Sequence, residues 1–171
     1  MGRFKHLVDT DAGIEGFRAR YHIPQEVALR YYPPNRIDFD RKEGEVVIPM
    51  ITFIEGGMTL PIGRVTQDYL INHRLTPHQC TPNLFRILGS IDALNEQMGL
   101  GLMWFDVVHM YECHKLTSAG YYLKSRSDIV RLISCILNSN KGMKDNYLIF
   151  SEEWHDGLHC LTRAGEPGGI P

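Results

Sequence analysis

The segment Pro82–Met98 constrains this chain more than any other. Apolar residues fall at Leu84, Leu88 and Ile91 and, beside them, at Phe85, Ile87, Leu94 and Met98, while Arg86, Asn95 and Glu96 take the remaining side. That spacing fits one broad stripe on a helix of 3.6 residues per turn and predicts a helix buried along one face. Both ends are marked. Thr81-Pro82 sets a capping hydroxyl before a proline at the first helical position, and Gly99 and Gly101 supply the stop. Gly89 inside the helix costs about 1 kcal/mol against Ala, which points to close packing at that turn.

The rest of the chain is read outward from this helix. The run Asp9-Thr10-Asp11 predicts the cap of a short helix over 12–22, with Ile14, Phe17 and Tyr21 on one face. Pro24 opens a new segment, and Tyr31-Tyr32-Pro33-Pro34 cannot continue a helix, so 24–45 is expected as an irregular extended arm. The apolar run 46–54 is broken by Pro49, which is tolerated at a helix start; a helix over 50–55 is preferred to a strand there. Pro61 predicts a helix through Arg74, Thr76-Pro77 another cap, and Trp104, Val107, Val108 and Tyr111 a helix ending near Lys115.

The last third changes character. Tyr121-Tyr122-Leu123 and Tyr147-Leu148-Ile149-Phe150 are short, aromatic and bounded by turn residues, which predicts two strands. Ile129, Leu132, Ile133 and Ile136 predict a helix between them, residues 138–142 a loop, and 165–171 a loose Gly/Pro tail. The expected fold is α+β, mainly α with a small two-stranded β element, in a single compact helical domain. Its expected parts are a lead-in at 1–16, a domain body at 17–157 and a tail at 158–171.

Composition narrows the function. A net charge of -2 gives no prior for polyanion binding. Cys80, Cys113, Cys135 and Cys160 are widely spaced without a CxxC, and no secretory leader is visible, so reduced thiols and an intracellular location are expected, nucleus or cytoplasm alike. No apolar run approaches the roughly 20 residues of a membrane span. No GxxxxGK[ST] or GxGxxG loop is present, so no nucleotide cofactor is expected.

Candidate chemistry is sparse. Asp9-Thr10-Asp11 resembles the Asp-Thr-Gly of a retroelement protease, with Ile87-Leu88-Gly89 downstream, but Asp11 stands where the turn needs Gly. A helix cap is the expected role. His109, Cys113 and His114, and likewise His155, His159 and Cys160, lack the paired spacings of a zinc site, and no metal is expected. No local signature supports a Cys-His nucleophile. Asp68, Asp92, Asp106, Asp128, Asp145 and Glu152 are the carboxylates available to a metal-dependent transfer reaction, and their spacing selects no triad. Lys124, Arg126, Lys141 and Lys144 flank the two strand segments and would form a basic nucleic-acid patch if those strands paired; solvated charge guarding strand edges is the plainer role. Tyr121, Tyr122 and Trp154 are candidates for base stacking, with core packing the commoner use of such rings.

A set of landmarks runs in order through the chain. Ile23-Pro24 precedes Arg30-x2-Pro33 and Glu43-Gly44-Glu45, then Phe53-x2-Gly56-Gly57-Met58-x-Leu60-Pro61. Leu75-x-Pro77-x-Gln79-x2-Pro82-Asn83, Gly120-Tyr121-Tyr122, Ser139-Asn140-Lys141-Gly142-x-Lys144 and Phe150 follow. This order resembles the gypsy-type transposon domain of plants, also labelled a transposase, over residues 17–157. Met143 departs from the family's usual Trp, and Gly57-Met58 from its Gly-Leu-Arg. The resemblance implies a transposable-element origin and carries over no catalytic residue. Three roles follow as expectations: a non-catalytic protein-interaction or assembly module that binds a protein partner or itself, a nucleic-acid-binding module, and a cryptic metal-dependent enzyme. The first predicts an exposed apolar patch or a homo-oligomer.

Overall fold

The computed structural model describes residues 2–32, 45–116, 120–129, 131–134 and 146–151. The elements run α1 (Asp11–Arg20), β1 (Ala28–Tyr32), β2 (Val46–Pro49), α2 (Met50–Ile54), α3 (Arg64–Asn72), α4 (Pro82–Met98), α5 (Trp104–Met110), β3 (Tyr111–Leu116), β4 (Gly120–Ser125) and β5 (Tyr147–Ser151).

The fold is α+β, but it is not the expected mainly α domain with one two-stranded element. Five strands form two antiparallel sheets, a three-stranded one ordered β1-β5-β2 and a β3-β4 pair. The two predicted strands are both present, as β4 and β5, but they lie in different sheets and do not pair with each other. β5 is the centre of its sheet because Leu148 and Phe150 face the main core while Ile149 packs with Val47 and Tyr32 on the other side. A strand buried on both faces reads as a continuous apolar run.

Three further strands were not expected. β1 lies in the segment read as an irregular arm; Leu29 and Tyr31 point to the core, and the strand pairs with β5 from Ala28↔Ser151 to Tyr32↔Tyr147. The helix expected over 50–55 is present as Met50–Ile54 with Pro49 at its N-cap, and the unexpected part is the strand Val46–Pro49 that precedes it. The helix expected to reach Lys115 ends at Met110, and the chain turns directly into β3. Ile129, Leu132 and Ile133 are not helical, and Ile129 is almost fully exposed; Ile136, the 138–142 loop and the 165–171 tail lie outside the described residues.

α4 is the axis of the helical layer, and its observed bounds are the predicted ones. Leu84, Phe85, Ile87, Leu88 and Ile91 are buried, and Gly99 closes the helix in the left-handed conformation (φ 62°) that glycine adopts without strain. α3 packs beside it through a polar tie. Asp92 accepts from the backbone N–H of Val65 (2.7 Å) and Thr66 (3.1 Å) and from the Thr66 hydroxyl (2.6 Å), satisfying the open amides at the start of α3. No helix among the described residues is long and apolar enough to cross a membrane.

Candidate interaction surface

The feature that stands apart from ordinary surface is the corner between α4 and α5. Met98 (64% exposed), Leu100 (48%), Met103 (40%) and Phe105 (43%) lie within eight residues of one another, and from Gln97 to Phe105 no residue carries charge. Connections of this kind are normally polar, and large apolar patches on a monomer mark interaction sites.

The corner is held in one shape. Gly99 and Gly101 take left-handed backbone (φ 62° and 65°). The Asn95 side chain spans the loop, accepting from Leu102 N (2.9 Å) and donating to Leu102 O (2.7 Å). Asp106 caps α5 by accepting from Met103 N (2.8 Å). Trp104 anchors the far side, its ring edge-on to His73 at 6.1 Å, and His73 stacks on buried Tyr69 at 3.9 Å. The four apolar side chains therefore stand on the end of α4, the start of α5 and a connection tied to both.

The other candidate residues sit elsewhere. Thr10 caps α1, its hydroxyl accepting from Gly13 N (3.0 Å), and Ile87-Leu88-Gly89 lies inside α4. Cys113 and His114 are consecutive on β3 and so point to opposite faces. His114 meets Glu112 (3.1 Å), while His109 bonds its own helix at Phe105 O (2.7 Å). Burial raises the Cys113 thiol's pKa, partly offset by its hydrogen bond with Tyr69, whose phenol is itself pushed far above its usual range by burial and by Cys113. A thiol held protonated is a poor nucleophile. His155, His159 and Cys160 lie outside the described residues.

The carboxylates have separate structural duties. Asp68 lies 3.7 Å from Arg64, Asp92 and Asp106 cap α3 and α5, and Asp128 meets Arg131 at 3.2 Å. Asp145 and Glu152 lie outside the described residues. Among the described residues no three metal-ligating side chains converge.

Of the basic patch, Lys124 stands exposed on β4 opposite Glu112, and Arg126 gives Nη1 to Glu112 (2.7 Å) and Nε to Val108 O (3.0 Å). Lys141 and Lys144 lie outside the described residues. Tyr121 packs against the core and Tyr122 stacks on His114 at 5.6 Å; Trp154 is outside the described residues.

Two shallow depressions adjoin on α4, of about 420 and 330 Å³, sharing Gly57, Phe85, Gly89 and Ala93. Arg86 and Glu55 line the first, with Arg86 Nη2 4.0 Å from Glu55 Oε2. Asp92 lines the second with its carboxylate engaged by α3. Neither offers a free acid–base pair.

The apolar corner is masked in the sequence because Gly99 and Gly101 read as a helix stop and Trp104 as the start of the next helical stripe. The signal was present in Met98, Leu100, Leu102, Met103, Trp104 and Phe105, an apolar run where a loop should be polar. Comparisons with family models, with curated proteins and with solved structures returned no match. The described residues define an α+β domain with an exposed apolar corner between α4 and α5.

Proposed function

We propose that this chain is a non-catalytic protein-assembly module of the plant gypsy-type transposon kind, and that it associates with a second copy of itself through the α4–α5 corner. One observation carries the reading: Met98 at the end of α4, Leu100 and Met103 in the connection and Phe105 in the first turn of α5 are exposed, and Asn95 ties that connection at Leu102.

The second copy is favoured by the absence of charge between Gln97 and Phe105. In a two-fold contact the same patch faces itself across the axis, so a patch of one charge sign would repel itself and a neutral one does not. Four side chains cover only part of the roughly 800 Å² per partner of a standard interface, so the expected affinity is roughly micromolar or weaker.

The element origin rests on the ordered landmarks of the sequence, two of which also meet in the fold. Gln79 Oε1 accepts from the Thr76 backbone N–H (3.0 Å) and the Thr76 hydroxyl (2.9 Å), Thr81 N donates to Tyr121 O (2.8 Å), and Asn83 accepts from Leu123 N (3.1 Å). The Pro77-to-Asn83 landmark thus seats the strand that begins at Gly120.

Sedimentation velocity over a wide concentration range tests the reading. The expected result is a sedimentation coefficient that rises with concentration and stays at the monomer value in Phe105→Glu. A wild-type chain that remains monomeric throughout, indistinguishable from Phe105→Glu, refutes self-association.

A further inference from the structure

Two of the four side chains on the corner are thioethers, and their setting differs from that of other methionines in the chain. Met98 and Met103 are exposed, whereas Met50 and Met58 are buried in the core. Met110 is half-buried, and Met1 and Met143 lie outside the described residues.

We propose that Met98 and Met103 form an oxidation-sensitive modification site that switches the corner from adhesive to non-adhesive. This rests on the self-association reading above. The co-reactant is a peroxide: the thioether sulfur attacks one peroxide oxygen, the O–O bond breaks, an S–O bond forms and the second oxygen leaves as water. The sulfur loses two electrons and the peroxide gains them. The product sulfoxide is polar and a strong hydrogen-bond acceptor, and it reverts under methionine sulfoxide reductases.

Placement makes the step selective and its effect local. A sulfur open to water meets peroxide without any opening of the fold, while the core sulfurs of Met50 and Met58 are shielded by their neighbours. The backbone bearing the two residues is tied by Asn95 to Leu102 and by Met103 N to Asp106, contacts that use no thioether. Oxidation therefore changes the polarity of the corner and leaves the loop in place. In an apolar contact between two copies, each sulfoxide must be desolvated without a donor opposite, because the 97–105 stretch of the partner copy offers few side-chain donors.

The experiment treats the native full chain with limiting hydrogen peroxide and maps the added oxygens by fragment mass spectrometry. Melting is followed by circular dichroism, and sedimentation is run before and after. Met98 and Met103 should each gain one oxygen before Met50 and Met58, with little change in melting temperature. The dissociation constant of the self-contact should rise by about tenfold or more. Reductase treatment should restore it, and Met98→Leu/Met103→Leu, which keeps apolar bulk, should associate and resist peroxide.

Equal oxidation of Met50 or Met58 overturns the proposal. So does unchanged association after both sulfoxides form, or equal sensitivity of the leucine variant. If the untreated chain is monomeric and matches Phe105→Glu, it is the self-association reading that fails. Retention on a phenyl column then serves as the readout: a drop after oxidation, absent in the leucine variant, supports the switch, and no drop overturns it.

Discussion

At the scale of single residues, several polar side chains among the described residues serve the backbone. Thr10 illustrates the case. Its hydroxyl takes the Gly13 amide at the start of α1, and Thr10→Ala should lower stability by about 1 kcal/mol, read as a lower denaturation midpoint at unchanged slope. His73 makes a pH-dependent contribution. Burial lowers its pKa from the ordinary 6.5, and the hydrogen bond to the Tyr69 carbonyl only partly opposes this. The folded chain therefore takes up this proton less readily than the unfolded chain. The stabilisation is complete above the unfolded value and is lost as pH falls from 6.5 toward the folded value. Melting temperature should drop between about pH 7 and about pH 5.5 in the wild type and drop less in His73→Phe, which retains a ring against Tyr69 and Trp104. Equal slopes in the two proteins would remove His73 from the account.

At the scale of elements, legibility follows the range of the forces involved. α4 could be read to its ends because its stripe, proline start and glycine stop are local. The Thr10 cap and the β4 and β5 strands were legible for the same reason. β1 was not, since Ala28–Tyr32 is a strand only by pairing with Tyr147–Ser151, far along the chain, and Pro33-Pro34 suggested an arm. β3 was hidden because Val107 and Tyr111 keep helical spacing past the point where the helix stops. Tertiary pairing overrides weak local preference in such segments. The tie between α3 and α4 is similarly non-local: nothing around Asp92 announces that it caps a helix starting at Arg64. Asp92→Ala should cost about 2–3 kcal/mol and speed amide exchange at Val65 and Thr66 before the rest of α3. Asn95→Ala tests the corner in the same way. Losing both bonds to Leu102 should destabilise by about 1–2 kcal/mol and weaken self-association although Asn95 contributes none of the four exposed apolar side chains.

At the scale of the whole molecule, the question is which force would bring two copies together. With a net charge of -2 the chain repels itself only weakly, and the corner adds no charge of either sign. Association driven by Met98, Leu100, Met103 and Phe105 should then behave as apolar burial does. It should change little when sodium chloride rises from about 0.05 to 0.5 M, because screening acts on charges. It should strengthen in sulfate, which is excluded from protein surfaces, and weaken on cooling, because apolar association near room temperature is entropy-driven. A contact made instead through Lys124, Arg126 or Glu112 would respond in the opposite sense, losing affinity steeply as sodium chloride is added. Sedimentation equilibrium in the two salts at two temperatures separates these cases. Loss of the dimer in sodium chloride, with Phe105→Glu no weaker than wild type, would move the interface away from the corner and onto the β3–β4 hairpin.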